Sequence, residues 1–206
     1  MVPKAGTERP RVVGDREEEL LDATVELLLD VGYDRLTMDA VAKLARASKA
    51  TLYRRWSSKQ ALVVDAVSRS KRAVVLAPPD TGSLRSDLVE LFCGPRGIES
   101  HDTTLVLGVV LTALQTDPEF AQEFRSRFLA PKVAVVRDIY ARAAARGELA
   151  PGVDPTLLGP ALAGIVLHRS FVLGDPVTRD LVERVVDQII LPAATGCHPT
   201  VPQEPR

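Results

Sequence analysis

Cationic and hydroxyl side chains cluster between Arg35 and Lys59, and together they could bind a polyanion. This interval holds seven Lys or Arg residues and a single acidic residue, Asp39. The formal net charge of the whole chain is −1, with 14 basic and 11 acidic residues over 1–72, and 12 basic and 16 acidic residues over 73–206. A local basic stretch on a nearly neutral protein favours one focused contact with a polyanion over a general basic coat.

The spacing within 49–56 predicts how these side chains are shared between the faces of a helix. At about 100° per residue, Leu52 and Trp56 fall on one side, which we expect to face the protein core. The face opposite the core carries Ala50, Thr51 and Arg54. One flank carries Lys49 and Tyr53, and the other flank carries Arg55. Small residues allow close approach to base edges, a long donor can reach a guanine, and flanking cations and hydroxyls can hold phosphates. The alternative is an ordinary solvated helix face.

Helix-capping signals divide the first part of the chain into four predicted helices. The candidate N-caps are Asp15, Thr37, Ser48 and Ser57, and Glu18 and Gln60 complete capping boxes with the first and the last of them. Gly32 is expected to end the first helix, and Arg46-Ala47 form the turn between the second and third. Two short helices joined by a tight turn have the layout of a helix-turn-helix that enters the DNA major groove. At the helix starts beside it, Thr37 and Lys59 lie where backbone N–H groups favour a phosphate oxygen.

The remainder of the chain is also predicted to be helical. A boundary between two parts is expected at 77–82. Helices are expected to begin at Asp117-Pro118 and at Asp154-Pro155, where a capping aspartate precedes a proline. Pro131 is expected to kink the first of these helices, and Gly147 to end it. The apolar run Leu105–Leu114 predicts a helix buried on all sides. No useful length of sequence alternates with period two, so we predict an all-α fold.

Residues 32–62 resemble the N-terminal DNA-binding domain of the tetracycline-repressor (TetR/AcrR) family of bacterial regulators. The matching positions are Gly32-Tyr33, Thr37, Val41-Ala42, Ala45, Ser48, Leu52-Tyr53, Trp56, Lys59 and Leu62. Every keyed position of the family pattern is present at the right spacing, which makes the signal specific. The chain departs from it at Ala47 and Ala50, where the family often has glycine, and either methyl group could alter how closely the backbone meets DNA.

The resemblance implies a ligand-responsive transcriptional regulator, most often a repressor, that binds a near-palindromic operator as a dimer. A small molecule entering the second domain would release the DNA. The resemblance implies that DNA is contacted by Thr37, Ser48, Lys49, Ala50, Thr51, Tyr53, Arg54 and Lys59, with Arg46 and Arg55 as further candidates. Among them, we expect Lys49, Thr51 and Arg54 to read bases, and Thr37, Tyr53 and Lys59 to hold phosphates.

The second domain matches the family only in its helical, apolar organisation. The expected effector pocket has the polar residues Thr112, Gln115, Tyr140, His168 and Arg169, walled by Phe92, Leu107, Leu111, Phe128 and Phe171. A largely apolar pocket with few polar anchors suits a hydrophobic ligand. His168 could instead be a satisfied buried histidine or an interface residue, and Arg169 could simply pair with an acid.

A homodimer through the last two helices is expected, because palindromic sites need two recognition helices. Gly159, Ala163 and Gly164 would allow close approach of another helix, and the last helix has a Val/Ile stripe. The alternative is that both stripes are intramolecular core. The predicted division is a disordered arm over 1–14, a three-helix helix-turn-helix domain over 15–76, a larger helical ligand-binding and dimerisation domain over 83–194, and a flexible tail over 195–206.

Other classes of protein receive little support from the sequence. The three histidines are widely separated and no Glu-x-x-His pair or phosphate-cradling glycine loop is present, so we expect no enzyme activity, no metal and no cofactor. Neither a signal peptide nor a membrane span is apparent, and Cys93 and Cys197 form no motif, which favours a cytoplasmic protein without a membrane partner. The open alternative is a helical small-molecule-binding protein or cofactor enzyme whose helix-turn-helix is vestigial.

Overall fold

The computed structural model describes residues 13–70, 78–94 and 101–196. Within these ranges the chain is helical and has no strand, which confirms the all-α prediction. The helices are α1 Val13–Arg35, α2 Met38–Leu44, α3 Lys49–Arg55, α4 Lys59–Ser70, α5 Leu84–Cys93, α6 His101–Thr116, α7 Pro118–Glu123, α8 Ala130–Ala145, α9 Pro155–Phe171, α10 Arg179–Val185 and α11 Leu191–Thr195. Most of the predicted arm and tail lie outside the described residues, as does Cys197.

Two starts in the first part of the chain differ from the sequence prediction. Helix α1 begins at Val13, so Asp15 lies inside the helix and is not its N-cap. Helix α4 is capped by Ser58, whose Oγ accepts a hydrogen bond from the Ala61 N–H at 3.2 Å. The predicted Ser57–Gln60 capping box is therefore wrong, since Ser58 takes the cap and the Gln60 amide bonds elsewhere.

Gly32 breaks α1 as predicted, although one more turn follows it. Its φ of 78° and ψ of 169° belong to a backbone region that is essentially restricted to glycine. The Leu36 N–H then donates to the Gly32 carbonyl at 3.2 Å and closes the turn that leads into α2. This break turns Tyr33 inward, where it is 4% exposed.

Pro131 and Pro192 each follow a wider, π-helical segment. Phe124–Leu129 joins α7 to α8 before Pro131, and Val186–Ile190 joins α10 to α11 before Pro192. At the ends of these segments the Ala130 N–H bonds to the Arg125 carbonyl and the Leu191 N–H to the Val186 carbonyl. Proline cannot donate and crowds the carbonyl four residues before it, so the wider turn fits it without ending the helix. The expected interruption at Pro131 thus takes the form of a π segment.

The buried side chains form two separate clusters. The first combines α1–α4 with residues of α6, α7 and the following π segment, namely Val106, Val110, Ala113, Phe120, Phe124 and Phe128. The second combines α5 with α8–α11 and is centred on fully buried residues such as Ile139, Leu162 and Val186. Helices α6 and α7 therefore complete the core beneath the helix-turn-helix.

Helix α6 is not buried on all sides, contrary to the prediction from its apolar run. Val106, Val110 and Ala113 face the first core, whereas Leu111 is 45% exposed. The reason is that the neighbours of α6, chiefly α1 and α7 with smaller contributions from α4 and α9, cover only part of its surface. Its composition, almost without charge, gave no indication of which face would remain uncovered.

Candidate DNA interface and effector domain

The turn between α2 and α3 is built by side-chain caps and a left-handed residue. Thr37 Oγ1 accepts from the Ala40 N–H at 3.1 Å, and Ser48 Oγ accepts from the Thr51 N–H at 3.1 Å, as the capping signals predicted. Arg46 has a φ of 51°, and the Ala47 N–H donates to the Ala42 carbonyl at 2.8 Å. This is a Schellman-type helix end, in which glycine is the usual left-handed residue.

Two arginine contacts hold this turn and α3 against α1. Arg16 Nη2 donates to the Arg46 carbonyl at 2.6 Å, and Arg55 Nη2 donates to a Glu17 carboxylate oxygen at 2.9 Å. Arg55 is thus occupied by an intramolecular ion pair in the free protein, and Arg46 contributes a backbone carbonyl to the same support. These contacts fix the direction in which α3 faces outward.

The outer face of α3 is open to solvent. Lys49, Ala50, Tyr53 and Arg54 are exposed, while Thr51 is half-buried with its hydroxyl 2.8 Å from Ser48 Oγ. Lys49 Nζ forms an ion pair with Asp39 of α2, and that hydrogen bond raises the pKa of the lysine. Within the described part of the chain Arg54 has no hydrogen bond or ion pair, so its guanidinium is available to a ligand.

The inner face of α3 is anchored as predicted, with one difference. Leu52 is fully buried and Trp56 is 2% exposed, but Trp56 follows the helix in an extended conformation and does not belong to its last turn. Its indole Nε1 donates to Asp65 Oδ2 of α4 at 2.8 Å. Trp56 therefore joins α3 to α4, and Arg127 Nη2 in the π segment binds the other oxygen of the same carboxylate.

Lys59 lies at the start of α4 and is partly occupied by Tyr33. Its Nζ donates to the Tyr33 carbonyl at 3.0 Å and lies 4.0 Å from the centroid of the tyrosine ring. An ammonium group has three donors, so this arrangement leaves N–H groups for a phosphate. Thr37 is exposed, with its hydroxyl oxygen accepting the cap bond described above.

Asp117, at the junction of α6 and α7, connects the two helices to the start of the DNA-binding core. Its carboxylate accepts from the Phe120 N–H at 2.9 Å, from the Tyr33 hydroxyl at 2.6 Å and from Gln60 Nε2 at 3.1 Å. Burial opposes ionisation of Asp117, but the three hydrogen bonds outweigh it and hold its pKa below the usual value. Burial and the Asp117 carboxylate together raise the pKa of Tyr33.

A row of aromatic rings continues from this junction towards α8. The ring centroids are 4.6 Å apart for Tyr33 and Phe120, 5.9 Å for Phe120 and Phe124, and 4.5 Å for Phe124 and Phe128. Sequence reasoning predicted Asp117 only as a helix cap and missed its link to Tyr33, which is 84 residues away. No local pattern could have indicated that pairing.

Among the described residues, the side chains predicted to form the effector pocket lie in different surroundings. Phe92 and Tyr140 are buried in the second core and Phe128 in the first, while Leu111, Thr112, Gln115 and His168 are exposed. Arg169 pairs with Asp175, and Phe171 is half-buried against α6, where a Cβ on Gly108 would lie 3.2 Å from its ring. The side chain of Leu107 lies outside the described residues.

A cleft of about 240 Å³ lies between α4 and α7, away from these residues. It is lined by Ser58, Gln60, Glu119, Gln122 and Glu123. The lining is polar and none of the predicted pocket residues contributes to it. Across the described ranges, no helix is both long and apolar enough to cross a membrane.

A capped helix-turn-helix with an exposed basic face, joined to a larger helical domain, defines a DNA-binding transcriptional regulator. Residues 20–66 match the family model described as bacterial regulatory proteins of the tetR family, and residues 78–189 match that of the tetracyclin repressor-like C-terminal domain. The chain belongs to the tetracycline-repressor family. The prediction of a ligand-responsive, DNA-binding repressor is confirmed at this level, and the alternative with a vestigial helix-turn-helix receives no support.

The relatives share most of their length with this chain. An uncharacterized HTH-type transcriptional regulator of Mycobacterium tuberculosis, Rv1556, is 41% identical over 183 residues, which cover 87% of this chain and 88% of the relative. The DNA-binding transcriptional repressor TetR of Mycobacteroides abscessus is 31% identical, covering 85% and 92% respectively. Among solved structures, the TetR family transcription regulator SCO0332 is 32% identical in sequence and has a TM-score of 0.65. The match covers 85% of this chain and 97% of that chain. Regulators of this family bind operators and small effectors as dimers.

Proposed function

We propose that this chain represses transcription by placing the outer face of α3 in the major groove of a near-palindromic operator, and that a small, largely apolar effector releases it. The observation that supports this proposal most directly is Arg54. It is exposed, lacks an intramolecular partner within the described ranges, and stands beside the small side chains of Ala50 and Thr51. An unpaired guanidinium at such a position can form two hydrogen bonds to guanine.

Different residues of the interface have different roles in this proposal. Lys49, Thr51 and Arg54 read base edges, whereas Thr37, Tyr53 and Lys59 hold phosphates, with Ser48 and Ala50 allowing close approach. On binding, Lys49 breaks its ion pair with Asp39 and contacts DNA instead. Arg46 and Arg55 contribute less to DNA binding, because they hold the turn and α3 against α1. The Arg46 carbonyl bonds to Arg16, and the Arg55 guanidinium bonds to Glu17.

The test is an operator-binding titration by fluorescence anisotropy, first with the DNA upstream of the gene and then with single-base variants. Arg54→Ala should lose roughly 1–3 kcal/mol of binding free energy and relax specificity at one base pair. Lys59→Ala should weaken all sequences alike and flatten the salt dependence. Arg137→Ala is the control, since it removes an exposed arginine of α8 that lies outside the interface. Full operator affinity in both Arg54→Ala and Lys59→Ala would refute this docking.

We also infer that the homodimer forms through α9 and the last helix, which runs from α10 to α11. Along α9 the exposed residues Leu157, Gly164, His168 and Val172 recur at helical spacing on one face, and Leu157 and Val172 are 70% and 68% exposed. Ile189 on the last helix is 47% exposed. Exposed apolar side chains such as Leu157, Val172 and Ile189 are typical of a surface that another protein covers.

Gly164 offers a direct test of this interface. Gly164 is exposed, and a Cβ there would meet no atom within 4 Å, so we expect a single chain to accommodate Gly164→Arg. We expect the variant to be a folded monomer in light scattering with weakened operator binding. Ala141→Arg, at an exposed position of α8, is the control and should remain dimeric. A dimeric Gly164→Arg variant would place the interface elsewhere.

The proposed division of labour follows the two predicted domains. Residues 15–76 bind DNA, and residues 83–194 bind the effector and the second subunit. The protein acts in the cytoplasm, where its operator lies. The support for communication between the two parts is the contact of Asp117 with Tyr33 and Gln60, together with the shared first core.

A further inference from the structure

Lys132 is a half-buried cation on α8 that has no carboxylate partner among the described residues. Its Nζ donates to the Phe128 carbonyl at 3.2 Å and lies 3.6 Å from the centroid of the Phe128 ring. Burial lowers its pKa, with no opposing contribution from an acidic neighbour. Other partly buried cations on or just after the same helix are paired, Arg142 with Asp80 and Arg146 with Asp87 and Glu148.

Removing a charge from water without pairing it lowers the stability of the folded chain. A methionine or leucine at this position would pack on Phe128 without that cost. The lysine therefore occupies an environment that favours an anion, which the described residues do not supply. Its sequence context, a single charge in the otherwise apolar run 128–136, gives the same indication.

A polar group without a hydrogen-bond partner among the described residues lies further along α8. Tyr140 follows Lys132 by two helical turns, is 1% exposed, and its hydroxyl has no hydrogen-bond partner among the described residues. Burial raises the pKa of Tyr140 to about 12. Between them Val136 contacts α9, where a Cβ on Gly159 would lie 3.0 Å from Val136 Cγ1. At 1.5 Å per residue, the two backbone positions are about 12 Å apart.

This part of α8 lies where the two cores meet. Phe128 belongs to the first core and Tyr140 to the second, and Lys132 lies between them. The aromatic row that begins at Phe128 reaches Tyr33 through Phe124 and Phe120. A ligand bound at Lys132 would thus contact the residue at one end of a packed connection to the DNA-binding core.

We propose that Lys132 is the anionic anchor of the effector site and that the effector is an elongated apolar molecule bearing one carboxylate. The carboxylate binds the Lys132 ammonium, the apolar body enters between α8 and α9 by displacing their contact at Val136, and the Tyr140 hydroxyl donates to a polar atom near its other end. This inference rests on the proposed effector response and specifies the chemistry of that effector.

The test is isothermal titration of the full chain, without DNA, with dodecanoate and 4-phenylbutanoate and with the neutral amide of each. At least one acid should bind one per chain and more tightly than its amide. Lys132→Met should weaken that acid roughly tenfold to hundredfold, as expected for the loss of a charged hydrogen bond, and leave amide binding unchanged. Lys43→Met, an exposed lysine of α2, is the control and should bind like the wild type.

Thermal unfolding of the same variants separates an anchor from a structural role. Without ligand, Lys132→Met should melt at or above the wild-type temperature, because methionine keeps the packing on Phe128 and removes a half-buried charge that no described carboxylate pairs. The acid should raise the melting temperature of the wild type and of Lys43→Met, but not of Lys132→Met. A lowered melting temperature in unliganded Lys132→Met, or acids that bind no better than their amides, would overturn the proposal. Binding at Lys132 without release of operator DNA would uphold the site and refute the effector response.

Discussion

Replacing Asp117 by alanine tests whether one carboxylate joins α7 to the DNA-binding core. The substitution removes the acceptor of the N-cap bond from Phe120, of the Tyr33 hydroxyl and of the Gln60 amide. Loss of the cap should cost about 1 kcal/mol. Leaving the Tyr33 hydroxyl buried without an acceptor should add about 1–3 kcal/mol, and half-exposed Gln60 can turn to water. We therefore expect the free energy of unfolding to fall by about 2–4 kcal/mol.

The measurement is urea denaturation followed by circular dichroism, arranged as a double-mutant cycle with Tyr33→Phe. If the two side chains interact as the 2.6 Å bond indicates, the coupling energy should be about 1–2 kcal/mol. Asp117→Asn serves as the matched variant, because asparagine retains the cap and one acceptor oxygen. A coupling energy below about 0.3 kcal/mol would show that the two sites are independent and would refute the reasoning.

The same carboxylate predicts a pH dependence with a definite sign. Its pKa in the folded protein is lowered, so its contribution to stability is full above the unfolded value of about 3.9 and is lost as the pH falls through the folded value. Asp117→Asn cannot titrate at this position. The stability difference between the wild type and Asp117→Asn should therefore shrink as the pH is lowered from 6 towards 3. A constant difference over this range would contradict the assignment.

Two further substitutions test the local geometry of the DNA-binding core by urea denaturation. Gly32→Ala should lower the free energy of unfolding by about 1–3 kcal/mol through backbone strain alone, since an added Cβ meets no atom within 4 Å. An unchanged urea midpoint would contradict the φ of 78°. Ser58→Ala should lower the free energy of unfolding by about 1 kcal/mol, because it removes the cap of α4. Ser57→Ala is its matched control and should have little effect. A larger loss in Ser57→Ala than in Ser58→Ala would restore the sequence-based assignment.

The DNA-binding part could be predicted closely because its signals are local. Thr37 and Ser48 cap their helices through residues three positions away, and Leu52 is buried by simple helical periodicity. Ser57 and Ser58 are both plausible caps, and sequence alone favoured the wrong one because Gln60 completed a pattern with Ser57. In the folded chain Gln60 binds Asp117, a partner 57 residues away that no local pattern reveals.

The effector domain resisted prediction for a different physical reason. Helices α6 and α9 are apolar on most sides, so their hydrophobic periodicity does not say which face meets the core, which meets a ligand and which meets a second chain. Leu111 and His168 were assigned to a pocket but are exposed, and Tyr140 proved to be a buried hydroxyl without a partner among the described residues. The informative residue was Lys132, whose significance depends on having no carboxylate beside it within the described ranges, a feature of the fold and not of the local sequence.

The packing of the first core constrains how any effector could act. Phe120 and Phe124 of the effector side share a close-packed cluster with α1 and α4, and such interiors transmit displacements because they cannot deform continuously. A ligand that shifts α7 must therefore move α1 as well. Helix α3 is tied to α1 through Arg16 and Arg55, so it moves with α1. In a dimer the two α3 helices must match half-sites about 34 Å apart, and a small rotation of each subunit changes that spacing without any change at the DNA-contacting residues.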